Sequence, residues 1–103
     1  MKNKEIDDIV FEKVISRIEE IKKFSVEVLL SLPPINLEQI EVGGKTLDFC
    51  TYRDLLANGE TLIIVQCKNT RFLGYGKMFA KGLVIDANKA VRDAEQELTW
   101  EYV

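Results

Sequence analysis

The chain of 103 residues carries a net charge of −3 and has a pI near 5.0; hydrophobic residues make up 47% of it and charged residues 30%. This length favours a single domain spanning residues 1–103, and the composition is that of a folded protein rather than a disordered tail. The acidic balance disfavours a general nucleic-acid coat protein, which would be basic overall.

The N-terminal stretch MKNKEIDDIVFEK does not resemble a signal peptide, because acids interrupt the apolar run that a signal peptide needs. The best apolar run, residues 62–65, is far shorter than the roughly 18 residues of a membrane span. Cys50 and Cys67 are the only cysteines and histidine is absent, so no zinc site of the usual form is expected. We expect a cytoplasmic protein with no metal and no cofactor. Two buried free thiols are favoured over a disulfide, which would be possible if the strands carrying Cys50 and Cys67 are neighbours.

Apolar residues recur at steps of three and four between residues 4 and 32, a spacing that predicts one long amphipathic helix. The central seam of this helix comprises Phe11, Val14, Ile18, Ile21, Ser25, Val28 and Leu32. About 25 residues at about 1.5 Å per residue would make the helix about 38 Å long. Pro33-Pro34 ends it, because proline lacks the backbone N–H and disfavours helical geometry in the residue before it.

Strand signals begin after the prolines. Residues 39–42 and 45–52 are predicted to form two strands, joined at Gly43-Gly44 by a tight turn whose central residues need positive φ. Asn58-Gly59 marks a second hairpin turn before residues 61–68, a β-branched, apolar run that predicts the central strand.

The remaining strands follow a predicted loop at residues 69–76. Residues 77–85 carry apolar side chains on both faces and are predicted to form a further strand. A turn at residues 86–89 and a short strand at residues 90–92 complete the sheet.

These elements predict an α+β fold: a long N-terminal helix packed on a three- to four-stranded antiparallel meander sheet, followed by a short C-terminal helix. Asp93 would cap that last helix, and Leu98 and Trp100 would anchor it. The element order resembles the cystatin-like or cone-shaped layout, a resemblance that implies the fold alone and carries no function.

The stretch KNTRFLGYGKMFAK, residues 68–81, is basic and aromatic within an acidic chain, and no acid interrupts it. Lys77, Phe79 and Lys81 alternate along one face of the predicted strand. Such a face can bind an acidic protein, a small anionic or organic ligand or, least favoured here, single-stranded nucleic acid. The competing and favoured interpretation is a hairpin whose basic residues are solvated and protect its edges from aggregation.

If a partner binds, we predict that it does so on the concave sheet surface and the loop at residues 69–76. The predicted binding residues are polar contacts and apolar walls, namely Arg71, Phe72, Tyr75, Lys77, Phe79, Lys81 and Trp100.

The predicted helix is longer than the sheet can cover, since a five- or six-residue strand spans only about 17–20 Å. The leftover apolar stripe would be exposed unless a second copy covers it, and two-fold dimers are the commonest oligomers. We therefore predict a homodimer with an interface at Phe11, Val14, Ile18, Ile21 and Val28. The alternative is a monomer whose sheet curls far enough to bury the helix.

The absence of histidine removes the commonest general base and the Ser–His and Cys–His nucleophile pairs. The sequence therefore favours a non-catalytic binding protein. One alternative is a small-molecule pocket protein or weak enzyme that uses Asp48 or Tyr52 in a cavity between sheet and helix. Another is a regulatory or toxin-neutralising accessory protein of a bacterial mobile element, an inference from small size and acidity alone.

Overall fold

The structure, a computed structural model, describes residues 2–70 and 76–95, with the backbone alone described at Asn3 and Thr70. Its elements in chain order are α1 (Asn3–Ile21), α2 (Val26–Leu30), β1 (Ile35–Val42), β2 (Lys45–Leu55), β3 (Thr61–Thr70), β4 (Gly76–Ile85) and β5 (Val91–Asp93). The strands form one antiparallel sheet in the order β1-β2-β3-β4-β5, and α1 packs mainly on β3 and β4. The predicted α+β fold with a meander sheet is confirmed, with five strands in place of three or four.

The predicted single long helix is wrong in one respect, because it is interrupted at Ser25. α1 ends at Ile21, and Ser25 caps α2, its hydroxyl accepting a hydrogen bond from the Val28 N–H at 3.3 Å. The extended backbone of Ser25 cannot continue a helix. The break turns Leu29, 1% exposed, back into the core. α1 itself has 19 residues, about 28 Å at about 1.5 Å per residue.

The main core lies between α1 and one face of the sheet. Side chains alternate across a strand, so the odd-numbered residues of β2, β3 and β4 face α1. The residues of α1 in this core are Ile6, Val10, Val14, Ile18 and Ile21. The residues of the sheet in it are Val42, Leu47, Phe49, Ile63, Val65, Cys67, Leu83 and Ile85.

The opposite face of the sheet, called the outer face below, carries a smaller apolar cluster. Leu62, Ile64 and Val84 are its buried members. Towards β1 the outer face becomes exposed: Ile35 and Leu37 are 63% and 62% accessible. The outer face therefore exposes apolar side chains at its β1 edge.

The turns follow their sequence signals. Gly43 and Gly44 have φ of 59° and 80°, as the predicted two-residue turn requires, and Gly59 has φ of 87°.

β1 starts at Ile35, earlier than the predicted start at residue 39, because the chain is extended immediately after Pro34. Asp93, predicted to cap a C-terminal helix, instead ends β5, and Ala94 and Glu95 that follow it are not helical. The rest of the predicted helix, from residue 96 onwards, lies outside the described residues. No helix in the part of the chain that the structure describes is long and apolar enough to cross a membrane.

Candidate functional site

A cleft opens where the β1–β2 hairpin and the β3–β4 hairpin part. The β2–β3 ladder stops at the pair Phe49↔Cys67, whereas the β1–β2 ladder continues to Lys45 and the β3–β4 ladder to Thr70. The start of β2 and the end of β3 therefore each have a strand partner on one side only. We call the space between them the hairpin cleft.

The hairpin cleft has a volume of about 510 Å³. Its walls are lined by Lys45, Thr46, Leu47, Asp48, Cys50, Gln66, Cys67, Lys68 and Met78. This volume lies within the roughly 300–1,000 Å³ typical of small-molecule sites. The backbone groups that turn into the cleft lack a ladder partner, so they can hydrogen-bond a ligand.

On the α1 side, a chain of hydrogen bonds spans the cleft. The Lys45 ammonium donates to the Asn69 side-chain oxygen at 3.1 Å, and the Asn69 amide donates to the Asp7 carboxylate at 2.7 Å. Asn69 is 0% and Asp7 7% exposed. This chain ties both hairpins to α1 and fixes the inner side of the cleft.

On the outer face, the cleft carries one acid and one base that do not pair. Asp48 would lie opposite Lys68 if the β2–β3 ladder continued by one residue beyond Phe49↔Cys67. Both side chains are exposed and both line the cleft. Neither forms an ion pair with another residue that the structure describes. The cleft therefore presents a separated carboxylate and ammonium.

The deeper wall of the cleft is polar and largely buried. Gln66 is 8% exposed, and its side-chain oxygen has no hydrogen-bond partner within the described residues. Burial raises the pKa of the neighbouring Tyr52 hydroxyl, the hydrogen bond with Cys50 raises it further, and the hydrogen bond with Gln66 acts in the opposite direction. An unsatisfied buried acceptor is costly, and a ligand or ordered water that donates to it would relieve that cost.

The two cysteines are free and buried, as expected from the sequence. They lie diagonally on adjacent strands, Cys50 on the outer face and Cys67 on the face towards α1. Burial raises the pKa of the Cys67 thiol to about 11, with further contributions from the nearby Cys50 and Asp48. At neutral pH this thiol is not a nucleophile. Among the described residues no group of three potential metal ligands comes together.

A smaller cavity of about 160 Å³ lies at the α1–α2 break, where the side-chain oxygen of the buried Thr51 has no partner among the described residues. Among the described residues that line it, Arg17 is the one cation, and its guanidinium donates two hydrogen bonds of 2.6 and 3.2 Å to the Glu38 carboxylate. Arg17 also lies 4.9 Å from the centre of the Phe49 ring. Because the Arg17 charge is already paired with Glu38 of the same chain, this cavity is a weaker candidate for a binding site than the hairpin cleft.

Of the binding residues predicted from the sequence, the three that the structure describes do not line the hairpin cleft. Arg71, Phe72, Tyr75 and Trp100 lie outside the described residues. Lys77, Phe79 and Lys81 share the α1-facing side of β4, away from the cleft. There the Phe79 ring contacts the Phe11 ring, with centroids 5.6 Å apart, and the Lys77 ammonium lies 5.4 Å from the Phe79 centroid.

The residues predicted to form a dimer interface divide into two groups. Val14, Ile18 and Ile21 are 0–4% exposed and pack against the sheet of their own chain. Phe11 and Val28 are 38% and 45% exposed. Within this fold only Phe11 and Val28 of that set are available to a second copy.

Asp48 and Tyr52, named from the sequence as residues of a possible pocket, lie on the outer face rather than between sheet and helix. Gln66 and Asn69 were not predicted as site residues. The one available signal was their polar character within or beside the apolar run that forms β3.

Comparisons of the chain with protein-family models, with curated proteins and with solved structures found no match.

Proposed function

We propose that this chain is a non-catalytic binding protein that takes a small dipolar ligand in the hairpin cleft. The observation that carries the proposal is the pair Asp48 and Lys68: opposite charges on the two walls of one cavity, neither ion-paired among the described residues. A ligand with both a cationic and an anionic group, such as a free amino acid, would pair with both at once.

The surroundings of the two charges support the same ligand class. Unpaired backbone groups of the parted strands would bind amide-like or hydroxyl groups, and Met78 and Leu47 would contact an apolar side chain. The Lys45–Asn69–Asp7 chain keeps the inner wall in place, so the site is largely pre-formed.

Binding is favoured over catalysis because the cleft lacks an activated group. The sequence contains no histidine, and the raised pKa of both Cys67 and Tyr52 keeps them protonated at neutral pH. Asp48 and Lys68 can each neutralise an opposite charge on a bound ligand.

Thermal unfolding with a panel of free amino acids tests the proposal. A ligand at 100 times its Kd adds about 2.7 kcal/mol of stability, which raises the Tm of a domain this size by about 10 °C or more. We expect one subset of zwitterions to do so, and their methyl esters and decarboxylated amines to have a much smaller effect.

Variants separate the cleft from other surfaces. The double variant Asp48→Asn/Lys68→Gln should abolish the shift and leave the ligand-free Tm nearly unchanged, since both residues are exposed. The matched control Lys81→Gln, an exposed lysine on the other face, should retain the shift. If no zwitterion stabilises the protein, or if the double variant binds as well as the wild type, the proposal is wrong.

A second candidate function is binding of an acidic protein on the surface formed by Phe11, Lys77, Phe79 and Lys81. The specific observation is that Phe11, 38% exposed, contacts the Phe79 ring at a tilt of 58°, and the Lys77 ammonium lies over the Phe79 ring. Aromatic residues are enriched at protein interfaces. Changing Lys77 and Lys81 together to Glu should keep the fold, since Lys81 is exposed and Lys77 lies at the surface, and should abolish capture of an acidic partner. Retained capture would exclude this surface. A cytoplasmic location and a toxin-neutralising role stay predictions from composition and size.

A further inference from the structure

The side chain of Gln66 lies among the outer-face residues that line the hairpin cleft. On this face Gln66 is opposite Cys50 of β2, and Lys68 follows two residues along β3. Asp48 and Met78 occupy diagonal positions on the two neighbouring strands. All four of these neighbours line the cleft, as Gln66 itself does. A ligand that pairs with Asp48 and Lys68 would therefore lie over the Gln66 side chain.

The Gln66 amide is oriented by Tyr52. Burial raises the pKa of the Tyr52 hydroxyl overall, but its hydrogen bond with Gln66 acts to lower it. A hydrogen bond lowers the pKa of an acid when it stabilises the anion, so the donor is the Gln66 amide nitrogen. Tyr52 and Asp48 lie diagonally from Gln66 on opposite sides of Cys50. With the nitrogen on the Tyr52 side, the amide oxygen is on the side of Asp48 and the cleft.

That oxygen is a buried acceptor without a donor. Gln66 is 8% exposed, and its side-chain oxygen has no hydrogen-bond partner within the described residues. The terminal torsion of a glutamine is broad, so the amide can turn its oxygen towards a bound cation. An amide oxygen accepts hydrogen bonds and cannot donate them, so it suits the cationic end of a dipolar ligand and not the anionic end.

We propose that Gln66 determines the specificity of the hairpin cleft by accepting a hydrogen bond from the cationic nitrogen of the ligand. This inference rests on the proposed function, because it concerns the cationic end of the same dipolar ligand. One N–H of the ligand would donate to Asp48 and a second to Gln66, while Lys68 pairs with the anionic end. The ligand class is therefore a zwitterion whose nitrogen carries at least two N–H groups, which excludes betaines.

Charge alone would not make this distinction. A quaternary ammonium carries the same charge as a protonated amine and would pair with Asp48, but it has no N–H and would cover the Gln66 oxygen without donating to it. A site whose buried polar group is left unpaired rejects such an analogue much more strongly than a site that differs only in apolar contact.

Titration calorimetry with a graded series of leucine derivatives tests the inference. The probes are leucine and its N-methyl, N,N-dimethyl and N,N,N-trimethyl derivatives, whose cations carry three, two, one and no N–H groups. Leucine is chosen because Met78 and Leu47 would contact its side chain. The affinity of the wild type should fall by about 10-fold or more between the N-methyl and N,N-dimethyl derivatives, because one of the two acceptors then loses its donor.

Variants of Gln66 separate the hydrogen bond from steric effects. Gln66→Met removes the acceptor and keeps a side chain of similar length, so the fall between these two derivatives should nearly disappear. The added methyl groups are common to both proteins, and their steric effect cancels in this comparison. Gln66→Glu keeps acceptor oxygens and should keep the fall. Lys81→Gln, an exposed lysine on the other face, is the control and should behave as the wild type.

The outcomes distinguish this inference from the proposed function. Equal affinity of the wild type for all four derivatives, or a fall that persists in Gln66→Met, would overturn the inference and leave the zwitterion site standing. If no derivative binds the wild type, both are wrong. If Gln66→Met instead loses the preference for leucine over its methyl ester, the amide nitrogen faces the ligand carboxylate and the inference is overturned. Circular dichroism checks that each variant is folded; the wild type and Gln66→Glu test the N–H dependence even if Gln66→Met is not.

Discussion

The side-chain amide of Asn69 donates a hydrogen bond to the carboxylate of Asp7 at 2.7 Å, joining residues 62 positions apart in the sequence. Both side chains are buried, and the Asn69 oxygen in turn accepts from Lys45. This contact holds the N-terminal turn of α1 on β3 at the point where the hairpins part. It therefore connects the main core to the inner wall of the hairpin cleft.

We predict that Asn69→Ala destabilises the protein substantially. The change removes one donor from the buried Asp7 carboxylate and one acceptor from the Lys45 ammonium. Loss of a hydrogen bond to a buried polar group costs about 1–3 kcal/mol, more if the group is charged. Urea unfolding followed by circular dichroism measures the loss. Asn88→Ala, at an exposed turn position, is the control and should stay within about 0.5 kcal/mol of wild type. Equal stability of the two variants would show that the buried chain contributes little.

The same region shows what sequence could and could not predict. The turns at Gly43-Gly44 and Asn58-Gly59 are determined by local sequence. The structure places both where the glycines indicate, between β1 and β2 and between β2 and β3. The hairpin cleft depends on where the β2–β3 ladder ends and on the contact of Asn69 with Asp7, which joins residues far apart in the sequence. No local sequence pattern determines where this ladder ends, so the sequence could not predict that Asp48 and Lys68 lie on opposite walls of the cleft.

The helix illustrates a different limit. Periodicity correctly marked Val14, Ile18 and Ile21 as an apolar stripe, but it cannot say whether that stripe meets its own sheet or a second chain. Ser25, a polar residue in the middle of the predicted seam, was the available signal for the break. Serine is a preferred helix N-cap, and a cap within a predicted helix favours two helices.

Gly82 occupies a position where β4 packs closely against its neighbours. A Cβ added there would lie 2.6 Å from Ile64 Cδ1, 3.0 Å from Ala94 Cβ and 3.1 Å from the Ile63 carbonyl oxygen. We predict that Gly82→Ala costs about 1–3 kcal/mol, as overpacking of a dense core usually does. Chemical denaturation at neutral pH measures this loss of stability.

A second substitution identifies the cause of the Gly82→Ala effect. Ile64→Val removes the methyl group that the new Cβ meets, at an expected cost of about 0.5–1.5 kcal/mol alone. The double variant should therefore be more stable than the sum of the two single losses predicts. Strict additivity would indicate that the contacts with Ala94 and the Ile63 carbonyl, rather than Ile64, cause the strain.

The Arg17–Glu38 pair should make stability depend on pH on the acid side. The hydrogen bond from Arg17 lowers the pKa of Glu38, against the opposing effect of burial. A carboxylate with a lowered folded-state pKa stabilises the fold above its unfolded value of about 4.3 and loses that contribution as pH falls through the folded value. The stability difference between wild type and Glu38→Gln should therefore be larger near about pH 6 than near about pH 3.

The expected size of this effect is small, because the Glu38 side chain is 36% accessible and exposed pairs are screened to about 1 kcal/mol or less. Urea midpoints at the two pH values measure it. Glu41→Gln, an exposed acid of the same strand with no ion pair among the described residues, is the control and should change less between the two pH values. A Glu38→Gln difference that is the same at both pH values would show that the pair does not stabilise the fold.

Cys67 should govern part of the stability at alkaline pH. Burial raises its pKa to about 11, well above the value of about 8.5 expected in the unfolded chain. The neutral thiol therefore stabilises the fold fully below about pH 8.5, and this contribution is lost as pH rises towards the folded-state pKa. Wild type should lose more stability than Cys67→Ala between about pH 8 and about pH 10.5, although the variant starts lower because it leaves a small cavity.

Tyr52 also has a raised pKa and contributes a loss of the same sign, so Tyr52→Phe is measured alongside. Comparison of urea midpoints for Cys67→Ala, Tyr52→Phe and the double variant separates the two groups. The double variant should have the flattest profile above about pH 8. If Cys67→Ala loses as much stability as wild type over that interval, the thiol ionises no differently in the folded and unfolded chains, and its burial does not control the alkaline limit of the fold.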